Sequence, residues 1–286
     1  MHIPERRLVI EKMGIVLLGS DSYIAQALSK SSLKNDYQLY LASRKVIEEE
    51  PTNFWSEVNS CSTLTIVNCI GNRNLEDENE SLESNYHVPI KILNKIRFMN
   101  FHWIQLSSYF SEFKSIYGID KNAYSYSKDL FSSELLSVSR NKLFSVSDLV
   151  LPHIVSPTER KGRLLRELAV HLHQGRTFEV SECEQIIPLL RLQSLVDFMD
   201  PLIRSNSQKH EEYQRIKVPA EYSGRIKELV HTFMEVFPLQ SLVRFDPQKN
   251  RRNEFSSLEW PMVMNPSKEI LYEIAKEYQA FINTSG

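Results

Sequence analysis

The chain has 286 residues, 42% of them hydrophobic and 24% charged, with a formal net charge of −2. That length supports one large domain or a domain with an appended lobe, and the composition excludes wholesale disorder. The balance of 34 basic against 36 acidic residues argues against a nucleic-acid-coating protein or a polybasic membrane binder, and no apolar run approaches the roughly 18 residues of a membrane-spanning helix. The N-terminal segment carries charges where a signal peptide needs an apolar stretch. Three cysteines without paired spacing point to a reduced, cytoplasmic protein without a zinc site. Glycine is scarce, 8 residues in 286, against a usual share of about 7%.

Residues 1–12 read as a loose extension, and Met13 offers an alternative start. Met13–Gly19 is a continuous apolar run ending in a turn, the pattern of a parallel strand covered on both faces. Apolar residues at Ile24, Ala27, Leu28 and Leu33 predict a helix over 22–33. Further strands are predicted at 37–42, 63–70, 103–106 and 143–151, with helices at about 84–100 and 122–140 between them. Strands alternating with helices imply βαβ units and a parallel sheet. After Pro157 the pattern changes. Helices are predicted at 162–173, 193–205, 223–237 and 266–282, with short apolar segments at 178–180, 186–190 and 215–218, and a polar loop over 247–260. The fold class is therefore α/β, a Rossmann-type doubly wound sheet over 13–157. A small mixed lobe over 158–286 follows, with the chain partly returning to the sheet.

Three places carry chemistry. The first turn reads Gly19-Ser-Asp-Ser22-Tyr-Ile-Ala25. A dinucleotide fold uses glycines here for the turn, for close approach to pyrophosphate and for helix–strand packing. Only Gly19 is present; Ser22 and Ala25 fill the other two positions. Second, Ser43 and Arg44 end the second strand, where an acid would hold a ribose 2′-hydroxyl and an arginine accommodates a 2′-phosphate. That favours NADP(H) over NAD(H); the alternative is a solvated surface arginine. Third, Tyr124 and Lys128 are spaced to share one helix face, where an ammonium lowers a phenol's pKa. The same spacing occurs at Tyr117/Lys121, Tyr213/Lys217 and Tyr272/Lys276, but only Tyr124/Lys128 opens the helix that follows the strand ending in Ser107-Ser108. Tyr126, on another face, is expected to pack.

In this order the elements resemble the extended short-chain dehydrogenase/reductase superfamily, in its nucleotide-sugar-modifying (NAD-dependent epimerase/dehydratase) branch, from about Gly14 to Ile282. Gly19, Ser22, Tyr23, Ile24 and Ala25 occupy its glycine turn. Ile66–Gly71, with Asn68 and Gly71, resembles the strand that ends beside the cofactor. Asn85 sits where the family keeps a helix asparagine supporting the active site. Ile104–Ser108 matches the strand bearing the catalytic Ser/Thr, with Ser108 favoured over Ser107. Tyr117-Gly118 resembles the Tyr-Gly pair downstream, and Tyr124 and Lys128 match the catalytic pair. Leu151–Pro157 resembles the segment opening the substrate lobe, with His153 at a substrate-contacting position or serving as a structural histidine. The family's Val-Asp-Asp-Leu-Val reads Leu192-Gln-Ser-Leu-Val196 here, and the stretch between Arg44 and Leu64 is short.

The resemblance implies an NADP(H)-dependent reductase of a keto group on a nucleotide-activated sugar, with a 4-keto-6-deoxy sugar as the expected substrate. Tyr124 would donate the proton, Lys128 would also hold the nicotinamide ribose, Ser108 would bind the substrate oxygen, and Asn85 would steady Lys128. The expected partner is a nucleotide sugar, with no nucleic acid and no membrane insertion, and a homodimer is compatible with the family. Two alternatives stay open. One is a nucleotide-sugar epimerase. A 4,6-dehydratase is disfavoured because Tyr109-Phe110, not Asp-Glu, follows Ser108. The other is a non-catalytic dinucleotide-sensing or scaffold protein.

Overall fold

The structure, a computed structural model, describes residues 13–49, 52–72, 77–96, 101–112, 123–140, 144–205, 213–237, 243–247, 260–263, 267 and 269–285. The 1–12 extension, the Tyr117-Gly118 pair and residues 248–259 of the expected polar loop lie outside them. The first half contains β1 (Met13–Leu18), α1 (Tyr23–Lys30), α2 (Leu33–Asp36), β2 (Gln38–Ala42), α3 (Arg44–Glu49), α4 (Thr52–Val58) and β3 (Thr63–Asn68). Then come α5 (Glu78–Leu82), a π-helical segment (Glu83–His87), α6 (Val88–Lys95), β4 (Phe101–Ser108), α7 (Ala123–Ser139) and β5 (Ser145–Leu151). The second half contains β6 (His153–Val155), α8 (Leu164–His173), β7 (Phe178–Val180), β8 (Ile186–Arg191), α9 (Leu192–Arg204) and β9 (Tyr213–Lys217). It closes with β10 (Tyr222–Arg225), α10 (Ile226–Val236), β11 (Val243–Phe245) and α11 (Glu269–Ser285).

Six strands form one parallel sheet in the order β2-β1-β3-β4-β5-β9. The continuous apolar runs of β1, β3, β4 and β5 occupy its centre, because both faces are covered. Alternate residues serve opposite faces. Ile15, Leu17, Val67, Ile104 and Leu149 pack with Leu28 of α1 and Leu195 of α9. Val16, Leu18, Ile66, Trp103 and Val146 pack with Ile92 of α6 and Phe131 of α7. The edges are more polar. Leu41 on β2 is 48% exposed, and β9 reads Tyr-Gln-Arg-Ile-Lys. Strand order reverses between β1 and β3, the point at which a ligand crevice opens in such sheets.

The second half builds its own core. A three-stranded sheet, β10-β8-β6, and a parallel β7–β11 pair lie against α8, α10 and α11. Leu168, Leu189, Leu229, Phe233 and Ile274 are among its fully buried residues.

Several expected boundaries move. The helix expected at 84–100 begins at Glu78, passes through the π-helical turn and ends at Lys95. The helix expected at 223–237 starts only at Ile226, because Ser223 and Gly224 extend β10 against β8. Residues 44–49 and 52–58 are short helices, so among the described residues no strand extends the sheet beyond β2.

One buried charge joins the centre of the sheet to its edge. Asp148 of β5 is fully buried. It accepts hydrogen bonds from Ser107 Oγ (2.5 Å), the Tyr213 hydroxyl (2.8 Å) and Arg215 Nη1 (2.6 Å). A desolvated carboxylate is tolerable only when matched this fully.

Candidate active site

A groove of about 600 Å³ opens where β1 and β3 diverge, at the carboxyl ends of the strands. Gly19 and Asp21–Ile24 form one wall and Cys69–Asn72 another. Arg44 and Ile47 close the end beyond β2. Leu106, Ser107, Tyr124 and Lys128 line the opposite end, and Arg160 and Arg163 reach in from the segment after β6.

The first turn explains its missing glycines. Gly19 has φ +71°, a left-handed conformation, and a Cβ there would lie 3.0 Å from Ile70 N. Ser22 has φ −73° and ψ 146°, ordinary extended backbone, so no glycine is required. Its hydroxyl caps α1 by accepting from Ala25 N at 3.1 Å. Ala25 is buried, its small side chain letting α1 pack on the sheet. The amides of Tyr23 and Ile24, in the first turn of α1, lack intrahelical acceptors. A tight turn, a helix N-terminus and no bulky side chain at Gly19 are what a dinucleotide diphosphate needs, so the residues fit that group.

Lys128 is brought to the groove by α7. That helix approaches the sheet closely because its inner face carries Ser125, Ser127, Ser132 and Ser139. Lys128 is buried, and its Nζ donates to Ile70 O (2.8 Å) and Leu106 O (3.1 Å), which leaves one of three donors uncommitted. Burial pulls its pKa down to about 8. Gly71 leaves space above it: a Cβ there would stand 3.5 Å from Nζ. Tyr124 lines the groove, its ring edge-on to Phe110. Tyr126, expected to pack, is instead 42% exposed, because it faces away from the buried stripe of α7. Of the other Tyr-x-x-x-Lys pairs, Tyr213/Lys217 lies on strand β9 and Tyr272/Lys276 on α11, away from the groove, and Tyr117/Lys121 is outside the described residues.

Asn85 sits within the π-helical turn. Such a turn inserts a residue and redirects a side chain inward. Asn85 accepts from Asn72 N (2.9 Å) and donates to Asn72 O (3.0 Å) and Ser127 Oγ (3.0 Å), which ties the loop after β3 to α7. Ser107 lines the groove, but its hydroxyl is committed to Asp148. Ser108, expected as the catalytic serine, is not among the residues lining the groove; its Oγ accepts from Phe110 N at 3.3 Å.

Some expected contacts fall outside the wall of the groove. Asn68 is fully buried, donating to Gln105 Oε1 and accepting from Ile70 N, and so holds the end of β3. Ser43 caps α3 through Val46 N. His153 lies on β6, paired with Leu189 and edge-on to Tyr109. Arg44 does line the groove; its guanidinium pairs with Glu48 at 2.7 Å, with both side chains exposed. Sequence reasoning missed Arg160, Arg163 and Cys69. Burial pushes the Cys69 thiol up to about 12, so it is not a thiolate. The only signal for the arginines was the basic run Arg160-Lys161-Gly162-Arg163.

No family model matches the chain, and no curated protein matches it in sequence. Solved structures match it over nearly its whole length. UDP-N-acetylglucosamine 4-epimerase from Methanobrevibacter ruminantium M1, in complex with UDP-N-acetylmuramic acid, has TM-score 0.75 at 10% identity, covering 97% of this chain and 100% of that one. RMD from Pseudomonas aeruginosa, complexed with NADPH, has TM-score 0.69 at 13% identity, covering 94% and 99%. A GDP-6-OMe-4-keto-L-xylo-heptose reductase from C. jejuni has TM-score 0.71 at 11% identity, covering 96% and 99%. The chain therefore shares the Rossmann-like fold of these nucleotide-sugar enzymes.

Proposed function

We propose that the chain is an NADP(H)-dependent reductase of a keto group on a nucleotide-activated sugar, with a nucleoside diphosphate 4-keto-6-deoxy sugar as substrate class. The carrying observation is that Tyr124 and Lys128 line one end of the groove that begins at the Gly19 turn. In this reading residues 13–157 with β9 hold the cofactor, and the remainder of 158–286 forms the substrate lobe. A bound reduced nicotinamide supplies hydride to the carbonyl carbon. The protein manages the oxygen. Tyr124 gives its phenolic proton to the developing alkoxide. Ser108 donates a hydrogen bond to the same oxygen, an interaction that strengthens as charge builds. Lys128 holds a positive charge near the phenol and offers its third proton to a ribose hydroxyl. Asn85 fixes the loop after β3 and so the Ile70 carbonyl that anchors Lys128.

The test is turnover of a UDP-4-keto-6-deoxy sugar, followed by loss of NADPH absorbance. Tyr124→Phe is expected to lower the rate roughly 10²- to 10⁴-fold while NADPH still binds. Normal turnover by that variant contradicts the mechanism. The epimerase reading, supported by the fold shared with the Methanobrevibacter epimerase, requires NAD to stay bound through purification; release of NAD on denaturation selects it. A scaffold without turnover would keep its biological activity in Tyr124→Phe.

A further inference from the structure

The groove carries two cations that the reaction does not use. Arg160 and Arg163, from the segment between β6 and α8, line the same groove as Gly19 and Asp21–Ile24. That segment is held far more firmly than a connector needs. Ser156 N donates to the Tyr278 hydroxyl (3.1 Å), which in turn donates to the buried carboxylate of Glu159 (2.7 Å), so α11 pins the loop. Glu159 N returns to Ser156 O (3.0 Å), and the Arg166 guanidinium donates to Glu159 O. Gly162, in the left-handed region at φ +84°, turns the chain, and its N–H donates to Glu167 Oε1 at 2.7 Å. The Glu159 carboxylate lies 3.7 Å from Arg163 Nε and orients that side chain without covering it, since 28% stays accessible. Burial raises the Tyr23 phenol's pKa, and the Arg163 guanidinium lowers it against that rise. Among the described residues no carboxylate pairs with Arg160, which is exposed.

We infer that Arg160 and Arg163 form a second jaw that closes on the diphosphate of the bound dinucleotide across the groove from the α1 N-terminus. The chemistry is that of a guanidinium pair on a dianionic group, directional and charge-assisted. The need for it follows from the turn. Ser22 has occupied the Ala25 amide, so one donor that could face a phosphate is taken. Asp21 adds a negative charge to the same wall, and Glu80 and Glu83 line the groove further on. A single helix terminus, equivalent to about half a charge, does not outweigh these carboxylates. Two arginines offset most of that negative charge.

The inference rests on the dinucleotide reading of the groove, and the experiment separates the two. Wild type, Arg160→Gln, Arg163→Gln and the double variant are titrated calorimetrically with NADPH, NADH, ADP and UDP-glucose at low and moderate salt. Each single variant is expected to weaken NADPH, NADH and ADP by about ten-fold, the double variant by more, with a shallower salt dependence. UDP-glucose affinity is expected to stay unchanged. Arg160→Lys is expected to recover part of the loss. Arg160→Gln, at an exposed position, serves as the variant whose unfolding temperature does not move. Equal dinucleotide affinities in wild type and double variant overturn the clamp and leave the dinucleotide reading intact. Weakening of UDP-glucose alone overturns it in favour of the substrate diphosphate. If wild type binds neither dinucleotide, the functional reading falls. ADP binding that the double variant loses then sustains the clamp, and its retention or absence overturns it.

Discussion

Burial acts directly on Lys128. Water is excluded around its ammonium, so the charged form is disfavoured and the pKa drops from 10.5 to about 8. Two consequences follow with definite signs. In the proposed mechanism keto reduction uses the ammonium beside Tyr124, so its rate is expected to decline as pH rises through about 8, read as kcat against pH. A profile flat well past that pH contradicts the assignment. Stability moves the other way. Between about pH 8 and 10.5 the unfolded chain holds a proton that the native chain has lost, so wild type gains stability with pH relative to Lys128→Met. Denaturant titration of both proteins across that window reads the difference. The two serines of β4 also divide at this scale. Strand alternation sends Ser107 towards α7 and Asp148, and Ser108 to the other face. Adjacent residues of one type thus face opposite sides of the sheet.

The turn between β1 and α1 shows how an element keeps its shape with less glycine. Only one position demands φ above zero. Gly19→Ala is expected to cost about 1–2 kcal/mol from the left-handed backbone alone. The contact with Ile70 N adds to that cost. Ser22→Gly exchanges one acceptable N-cap for another and is expected to cost a few tenths of a kcal/mol. Thermal unfolding of the two variants ranks them; equal effects contradict this account of the turn. Other features of the elements depend on partners remote in sequence. The π-helical turn at Glu83–His87 lies in an unremarkable helical pattern, and its function appears only through Asn72 and Ser127. The Ser223-Gly224 extension of β10 depends on β8, some thirty-five residues earlier.

At the scale of the whole molecule, the sheet was legible because each central strand is a continuous apolar run. The Tyr124/Lys128 pair was legible because its helix follows a strand ending in two serines. The second jaw of the groove was not. Arg160 and Arg163 read as ordinary surface charges until β6, α8 and α11 bring their loop across from the Gly19 turn. The scarcity of glycine leaves the first turn with one, Gly19, the position where a left-handed backbone requires it. Arg44 lines the end beyond β2, where no further strand covers it, and its pairing with Glu48 is exposed and therefore weak. The central claim, a dinucleotide groove selective for a 2′-phosphate, is tested most directly by titrating NADPH and NADH against wild type and Arg44→Ala. The expected result is tighter binding of NADPH by wild type, with the preference lost in the variant because NADPH weakens while NADH does not. Equal affinities for both dinucleotides in both proteins contradict the claim.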